Sequence, residues 1–517
     1  MSAPEHNHVP AVRPHCCPCC DHLETGDDGI SRRRFLSGAA LGGVALTGLS
    51  WSVLSAAEAE EESAPKRRPL VVKPIFTYRT YSRRPQRSWR SWGGIENQQR
   101  ADEELVRIQG ELKKLKETAD FPIEFLPVAA IRGGGDLAKV DDIDKADTLL
   151  VYAANGDLNA IAKLKKDTIF FCRYKSGPVY LWYEIISPRF LRQHSDKLAF
   201  EDLDFGDVVI DDQDEILWRL RSLCGLRNAT GSGIVAVGGP SGWSCRQAPD
   251  LAREQFKLDI HTVTYKDLGE LIKAAMADEA AVKRAKQRAD KYLKLPNTPL
   301  ETKRSFVDNA FLLDQIFRNL MKKANCGALT INGCMATIMP MSQTTACLPL
   351  STLNDDGYLA FCESDFVVIP SGILLAHISG KPVFLQDPTY PHDGIITLAH
   401  CTAPRKMDGK TLEPARIVTH FESDYGAAPK VDMHKGQQVT MIAPDFKAER
   451  WMGLLGVIED HPFHPICRSQ IDVRYEADDD VVAERMPGFH WMLAYGDYRR
   501  ELAYALRRTP IEWDYLG

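Results

Sequence analysis

GYLAFCESDFVVIPSGILLAHISGKPVFLQD, at positions 357–387, places a helix between two stops and closes on an acid. Its apolar run ends at His377, Ile378, Ser379 and Gly380, a glycine stop followed by Pro382. PVFLQD (382–387) then reads as a buried strand whose last residue is Asp387. Earlier in the same stretch, Glu363 and Asp365 stand among Leu359, Ala360, Phe361, Val367, Val368 and Ile369, where unpaired charge is costly to bury. Asp365 is expected to accept N–H groups in the first helical turn and to face the positive end of the helix dipole. Glu363 is left to hold something else. In open α/β sheets ligands gather beyond the carboxyl ends of strands, and both Glu363 and Asp387 are expected there.

Upstream of this stretch, strand and helix signals alternate. Residues 70–78 read as a strand, and Ala101, Leu105, Ile108, Leu112 and Leu115 follow at steps of three and four as one apolar helical stripe. TLLVYA (148–153) and GIVAV (233–237) are short β-branched runs ending in Asn-Gly and Gly-Gly-Pro, and the intervals imply parallel α/β units. Residues 267–293 and 303–323 are helical in pattern, and 328–334 returns as a strand. Downstream the period changes. Ile471, Val473 and Tyr475 alternate with Asp472, Arg474 and Glu476, and 438–442 behaves similarly, which is the mark of a half-buried antiparallel sheet. A chain of 517 residues is too long for one core and suggests about three domains.

The first sixty residues differ in kind. SRRRFLSG (31–38) carries the pair Arg32 and Arg33, a mildly apolar stretch runs on to Leu54, and Ala57, Glu58 and Ala59 have the small-x-small form of a cleavage site. This resembles a twin-arginine (Tat) signal over residues 1–59, which implies engagement of the Tat translocase, export of a folded protein to the periplasm, and a membrane anchor if the signal is not cleaved. Residues 60–69 read as a flexible tether. HCCPCCDH (15–22) lies in the segment to be removed and lacks a second ligand pair at finger-like spacing. The nine cysteines from Cys172 to Cys467 are odd in number and scattered, unlike a disulfide framework.

Charged residues make up 26% of the chain and the net charge is −6, which gives no reason to expect a nucleic-acid partner. The one basic aromatic stretch, YRTYSRRPQRSWRSWGG (78–94), is a single loop in an acidic protein and reads as a subunit contact or a substrate lip.

Two histidines complete a candidate site: His400 in LAHCTAP and His490 in GFHWMLAYGDYRREL. With Glu363 and Asp387 they make a ligand set suited to Mn²⁺ or a similar divalent ion with open positions, whereas a structural zinc site would use more thiolate. Cys334, Cys347, Cys362 and Cys401 raise a redox or hydrolytic alternative, but their spacing matches no C-x-x-C site and buried small hydrophobes explain them more simply.

Residues 359–404 and 467–502 resemble the L-fucose/L-arabinose isomerase family. The family's usual CEGD stands here as CESD (362–365), its LTGxPVF as ISGKPVFLQD (378–387), and its HCxxP as HCTAP (400–404); CRSQIDVR (467–474) and HWMLAYGDYRREL (490–502) match its C-terminal pattern. The resemblance implies an α/β fold with two Rossmann-like domains, 70–228 and 229–380, followed by a domain at 381–517 built on an antiparallel β-barrel. It implies metal ligation by Glu363, Asp387 and His490, with His400 matching a ligand of the arabinose branch. It also implies a homo-oligomer and Mn²⁺-dependent aldose–ketose isomerisation through an enediol, with Glu363 and Asp387 as base and acid. An exported sugar-binding protein that keeps the fold without the catalysis is the alternative. Two departures stand out: Ser364 replaces the usual glycine, and Trp491 stands where many relatives have a second histidine or an aromatic. Either would mark altered substrate choice or lost activity.

Overall fold

The computed structural model describes residues 64–517, all within one compact unit. The leader, with Arg32, Arg33 and the run at 15–22, lies outside the described residues. Among those described, no helix is long and apolar enough to cross a membrane. Of the residues read as a tether, 64–69 lie against the protein: the Arg67 guanidinium donates to the His377 carbonyl (3.0 Å) and the Arg68 N–H to Asn228 Oδ1 (2.8 Å).

The chain is α/β, with two parallel sheets followed by a closed antiparallel barrel. In the first sheet, β1 (Leu70–Thr77) pairs with β2 (Ile123–Phe125), β3 (Ala129–Ile131) and β4 (Thr148–Ala153), and the order continues through β5 (Asp167–Cys172) to β6 (Val208–Ile210). Every residue of β4 is buried, as expected of a parallel strand covered on both faces. Helix α1 (Gln98–Thr118) packs on this sheet and buries Ala101, Glu104, Ile108, Leu112 and Leu115. The expected stripe is therefore right at four positions and wrong at one, because the acid Glu104 takes the inward place assigned to Leu105. The reason is Arg173, just after β5, whose Nε bonds the Glu104 carboxylate.

The second sheet has the order β10-β9-β7-β8, all parallel, from β7 (Gly233–Val237), β8 (Asp259–Val263), β9 (Ala328–Ile331) and β10 (Leu359–Phe361). Helices α2 (Gln213–Ala229) and α3 (Arg304–Ala324) flank its strands in the chain. The expected borders at 228 and 380 fall at the ends of α2 and of α4 (Ile369–Ser379). Gly380 ends α4 in the left-handed conformation (φ +68°) and returns its N–H to the Ala376 carbonyl, the stop anticipated from glycine.

Beyond Gly380, six strands close on themselves: β11 (Phe384–Pro388), β12 (Ile395–His400), β15 (Gln438–Pro444), β16 (Arg450–Asp460), β17 (Ser469–Tyr475) and β18 (Trp491–Tyr495), in the order β15-β18-β11-β12-β17-β16 and back to β15. The pair β13 (Ala415–Val418) and β14 (Ala428–Val431) forms a separate ribbon, and β19 (Glu512–Leu516) adds to β16 in parallel. Closure removes the free edges of the barrel sheet.

This architecture corrects one expectation. Asp387 does not lie at the end of a parallel strand; β11 runs antiparallel to β12 and β18, and Asp387 pairs with Ala399. The apolar run misleads because β11 is buried on both faces for a different reason. Phe384 joins the barrel core with Trp491 and Leu493, while Leu385 joins the core that contains α4 and Met492. A doubly covered antiparallel strand and a parallel one have the same pattern. Helix α4 is the spacer between the two halves: a Cβ at its Gly372 would stand 2.8 Å from both Phe361 at the end of β10 and Met492 in β18. The lack of a side chain there lets β10 and β18 approach; Glu363 follows the first and His490 immediately precedes the second.

Candidate metal centre

The segment after β10 makes a tight turn. Glu363 and Ser364 both adopt left-handed backbone, φ +63° and +50°, and the turn is pinned to the loop after β7. Ser364 Oγ donates to the Gly239 carbonyl (2.9 Å), the Ser241 N–H to the Ser364 carbonyl (3.1 Å), and the Phe366 N–H to the Ser241 carbonyl (2.9 Å). A left-handed non-glycine pair is costly and persists where the surroundings impose it. The conformation explains why glycine suits position 364, and the Oγ bond is what serine gains in return. Glu363 is thus on a turn rather than at a helix start.

Across α4, alternation along β11 and β18 sorts the barrel residues by face. Phe384, Trp491 and Leu493 point into the barrel, so Asp387 and His490, one residue out of phase with Gln386 and Trp491, lie on the side of the central sheet. Trp491 is fully buried in the barrel core with its indole N–H on the Gly488 carbonyl (3.0 Å). It faces into the barrel, away from the site.

The four predicted side chains meet. His490 Nε2 lies 3.3 Å from Glu363 Oε2 and 3.4 Å from Asp387 Oδ1, and His400 Nε2 lies 3.8 Å from Glu363 Oε1. Both imidazoles are held from behind, His400 Nδ1 by Thr402 Oγ1 (2.9 Å) and His490 Nδ1 by Asp365 Oδ2 (2.7 Å). Asp365 also accepts the Val367 N–H (3.0 Å), whereas α4 begins only at Ile369 and has no side-chain cap. The expectation that Asp365 serves only its local turn is therefore corrected: it faces His490, a residue 125 positions away, which no local pattern can reveal.

Both histidines are nearly inaccessible, while Glu363 and Asp387 reach partly into the open, with side-chain exposures of 23% and 36%. Glu363 Oε2 and Asp387 Oδ1 are buried atoms without a hydrogen-bond partner. Unsatisfied buried oxygens on two facing carboxylates are unstable as they stand and suit a cation. Cys362, Glu363 and His400 bring one ligand atom each within 4.8 Å of one another, close enough to hold a metal ion. Cys362 is a donor absent from the expected set. It also belongs to the apolar core behind β10, together with Leu329 and Ile338, and Cys334 packs against that core.

The electrostatics separate the two acids. Burial pushes Glu363 up, but the facing imidazoles of His400 and His490 outweigh it and hold the carboxyl well below its usual range. Burial, with a contribution from the Glu363 charge, raises Asp387 to about 6 against the pull of the same histidines. His490 is opposed by burial and still held well above its ordinary value by Asp365, Glu363 and Asp387.

Some neighbours escaped the sequence reading. Trp243, in the GGPSGW loop after β7, meets the His490 ring edge-on (centroids 5.4 Å) and has left-handed backbone (φ +49°); Phe489 lies 4.3 Å from the same ring. Glu422, beyond β13, is raised by burial, with contributions from Cys401 and Glu363. The glycine pair ending a strand was the available signal for the loop. Nothing marked Glu422. The nine described cysteines are all free; Cys347 and Cys401 pack with Ala428, and Cys467 lies against them. Matching the chain to models of known families and to curated proteins returned no relative.

Proposed function

We propose that this chain is a metal-dependent, aldose–ketose isomerase-like enzyme of the L-fucose/L-arabinose isomerase type, with Glu363, Asp387, His490 and His400 as its metal-binding residues. One observation carries the reading: side chains from positions 363, 387, 400 and 490 converge, leaving carboxylate oxygens without partners. Mn²⁺ bound there would polarise the carbonyl and neighbouring hydroxyl oxygens of an open-chain sugar. Glu363, kept ionised, is the base that takes the proton from the carbon next to the carbonyl. Asp387, on the other side of the site, is the partner acid that supplies a proton to the oxygen. The roles exchange with the direction of reaction.

The description of residues 70–228 and 229–380 as Rossmann-like domains draws on the two parallel sheets and their intervening helices. Homo-oligomerisation, Tat export and a periplasmic location rest on the resemblances of the sequence alone.

The test is a screen of aldoses and ketoses with the purified protein, with Mn²⁺ and with EDTA. Turnover that requires Mn²⁺ and vanishes in Glu363→Gln is the expected result. Sugar binding that persists in EDTA without turnover would replace the enzyme by the non-catalytic sugar-binding alternative.

A further inference from the structure

The imidazole of His490 stands between two carboxylates that are one residue apart in the chain. Glu363 Oε2 is 3.3 Å from Nε2, and Asp365 Oδ2 is 2.7 Å from Nδ1. Two residues separated by one in an extended strand would point the same way, and neither could reach the far side of a ring held by the other. The left-handed pair Glu363 and Ser364 bends the backbone between them so that the two carboxylates approach opposite ring nitrogens. Asp365 is itself fixed: its carboxylate accepts the Val367 N–H, its carbonyl accepts the Val368 and Ile369 N–H groups, and it is 3% exposed. The opposite wall of the ring is aromatic, formed by Trp243 and Phe489.

We propose that Asp365 is the positioning residue of the metal centre. By accepting from Nδ1 it holds the proton on that nitrogen, so that an ion entering the site displaces only the Nε2 proton and meets a lone pair directed toward Glu363 and Asp387, and its charge raises the basicity of Nε2 as a ligand. Asp365 touches neither substrate nor ion. His400 has a weaker counterpart, since Thr402 offers a neutral hydroxyl at the equivalent nitrogen. His490 is therefore the tighter imidazole ligand of the two, and the turn at 363–365 is one device that delivers a ligand and orients another.

The inference rests on the proposed cation site but not on the sugar chemistry. Its test uses Mn²⁺ alone, titrated into the full chain and followed by the electron paramagnetic resonance of the free ion. Asp365→Ala should weaken Mn²⁺ binding by about 10–100-fold. Asp365→Asn, whose amide oxygen still accepts from Nδ1 and from Val367, should lose less than Asp365→Ala. With diamagnetic Zn²⁺ in place of Mn²⁺, nitrogen spectra of His490 should show Nδ1 protonated and Nε2 bound in the parent, and a loss of that single form in Asp365→Ala. Thr402→Ala should weaken binding less than Asp365→Ala does. Mn²⁺ affinity of folded Asp365→Ala within twofold of the parent, or an unchanged His490 tautomer, would overturn the proposal. The two readings fail separately: a parent that binds Mn²⁺ through Asp365-dependent geometry but isomerises no sugar loses only the enzyme assignment.

Discussion

Arg173 and Glu363 both leave the carboxyl end of a parallel strand, β5 in one sheet and β10 in the other, and both belong to charged clusters, the first buried and the second partly open to solvent. The first cluster is closed. Arg173 is fully buried; its Nε bonds Glu104, its Nη2 lies 2.7 Å from Glu111 Oε2 and its Nη1 3.1 Å from Ser176 Oγ. Glu104 is in turn completed by the Tyr180 hydroxyl (2.6 Å) and Arg107 Nε (3.1 Å). Opposite charges match and every nitrogen of the guanidinium is used. The second cluster is open: two acids face each other, two imidazoles turn their Nε2 atoms toward them, and oxygens remain without partners. Strand ends in α/β sheets collect polar groups in either case. What separates a structural network from a binding one is whether the protein itself completes it.

The comparison breaks first at Arg173. Arg173→Ala leaves the buried Glu104 with only Arg107 and the Tyr180 hydroxyl as partners and should cost about 3 kcal/mol in urea denaturation, with Mn²⁺ affinity of the folded fraction unchanged. A loss near zero would show that the closed network does not act as a unit. At the open cluster the order reverses. Glu363→Gln should lower Mn²⁺ affinity by at least about 100-fold, or about 2.7 kcal/mol, and should lower the folding stability of the metal-free protein by less, since attraction to His400 and His490 is lost while repulsion with Asp387 is relieved. Isothermal titration and denaturation on the same sample separate the two effects.

Core packing supplies the next test. Trp491→Phe should destabilise by about 1–2 kcal/mol through the cavity left in the barrel, without weakening Mn²⁺ binding; a loss of affinity would place the indole nearer the site than its barrel-facing position allows. A pH titration sharpens the electrostatics. Proton and cation compete for Asp387, whose pKa is raised to about 6, so Mn²⁺ affinity should fall as pH drops through 6. The same raised value means that ionising Asp387 disfavours the metal-free fold, so this group's contribution is best at low pH and is lost as pH rises through about 6. An affinity flat between pH 5 and 7 would contradict the shift. The smallest expected effect is at Ser364. Ser364→Gly relieves left-handed strain and loses one bond to Gly239, and the two should offset to within about 1 kcal/mol.

Much of this protein can be read residue by residue. The glycine stop at Gly380, the strands at 148–153 and 233–237, and the change from helical to alternating period follow from local backbone preferences and from which face is covered, and the structure has them in place. The acids and imidazoles of the candidate site were also legible, because unpaired Glu363 among apolar neighbours, Asp387 at the end of an apolar run, and the motif resemblance around His400 and His490 stand out without coordinates. The inward turn of Glu104 in place of Leu105 was not, since its cause is a guanidinium 69 residues away. Nor was the antiparallel setting of β11, because burial on both faces erases the alternation that distinguishes the two kinds of strand. Asp365 is the clearest instance. Its local sequence describes a capping acid, and only the approach of β10 and β18 across Gly372 brings it to His490. Local chemistry settles which groups are worth burying; long-range packing decides which of them meet, because contact energies between distant residues leave no periodic trace in the chain.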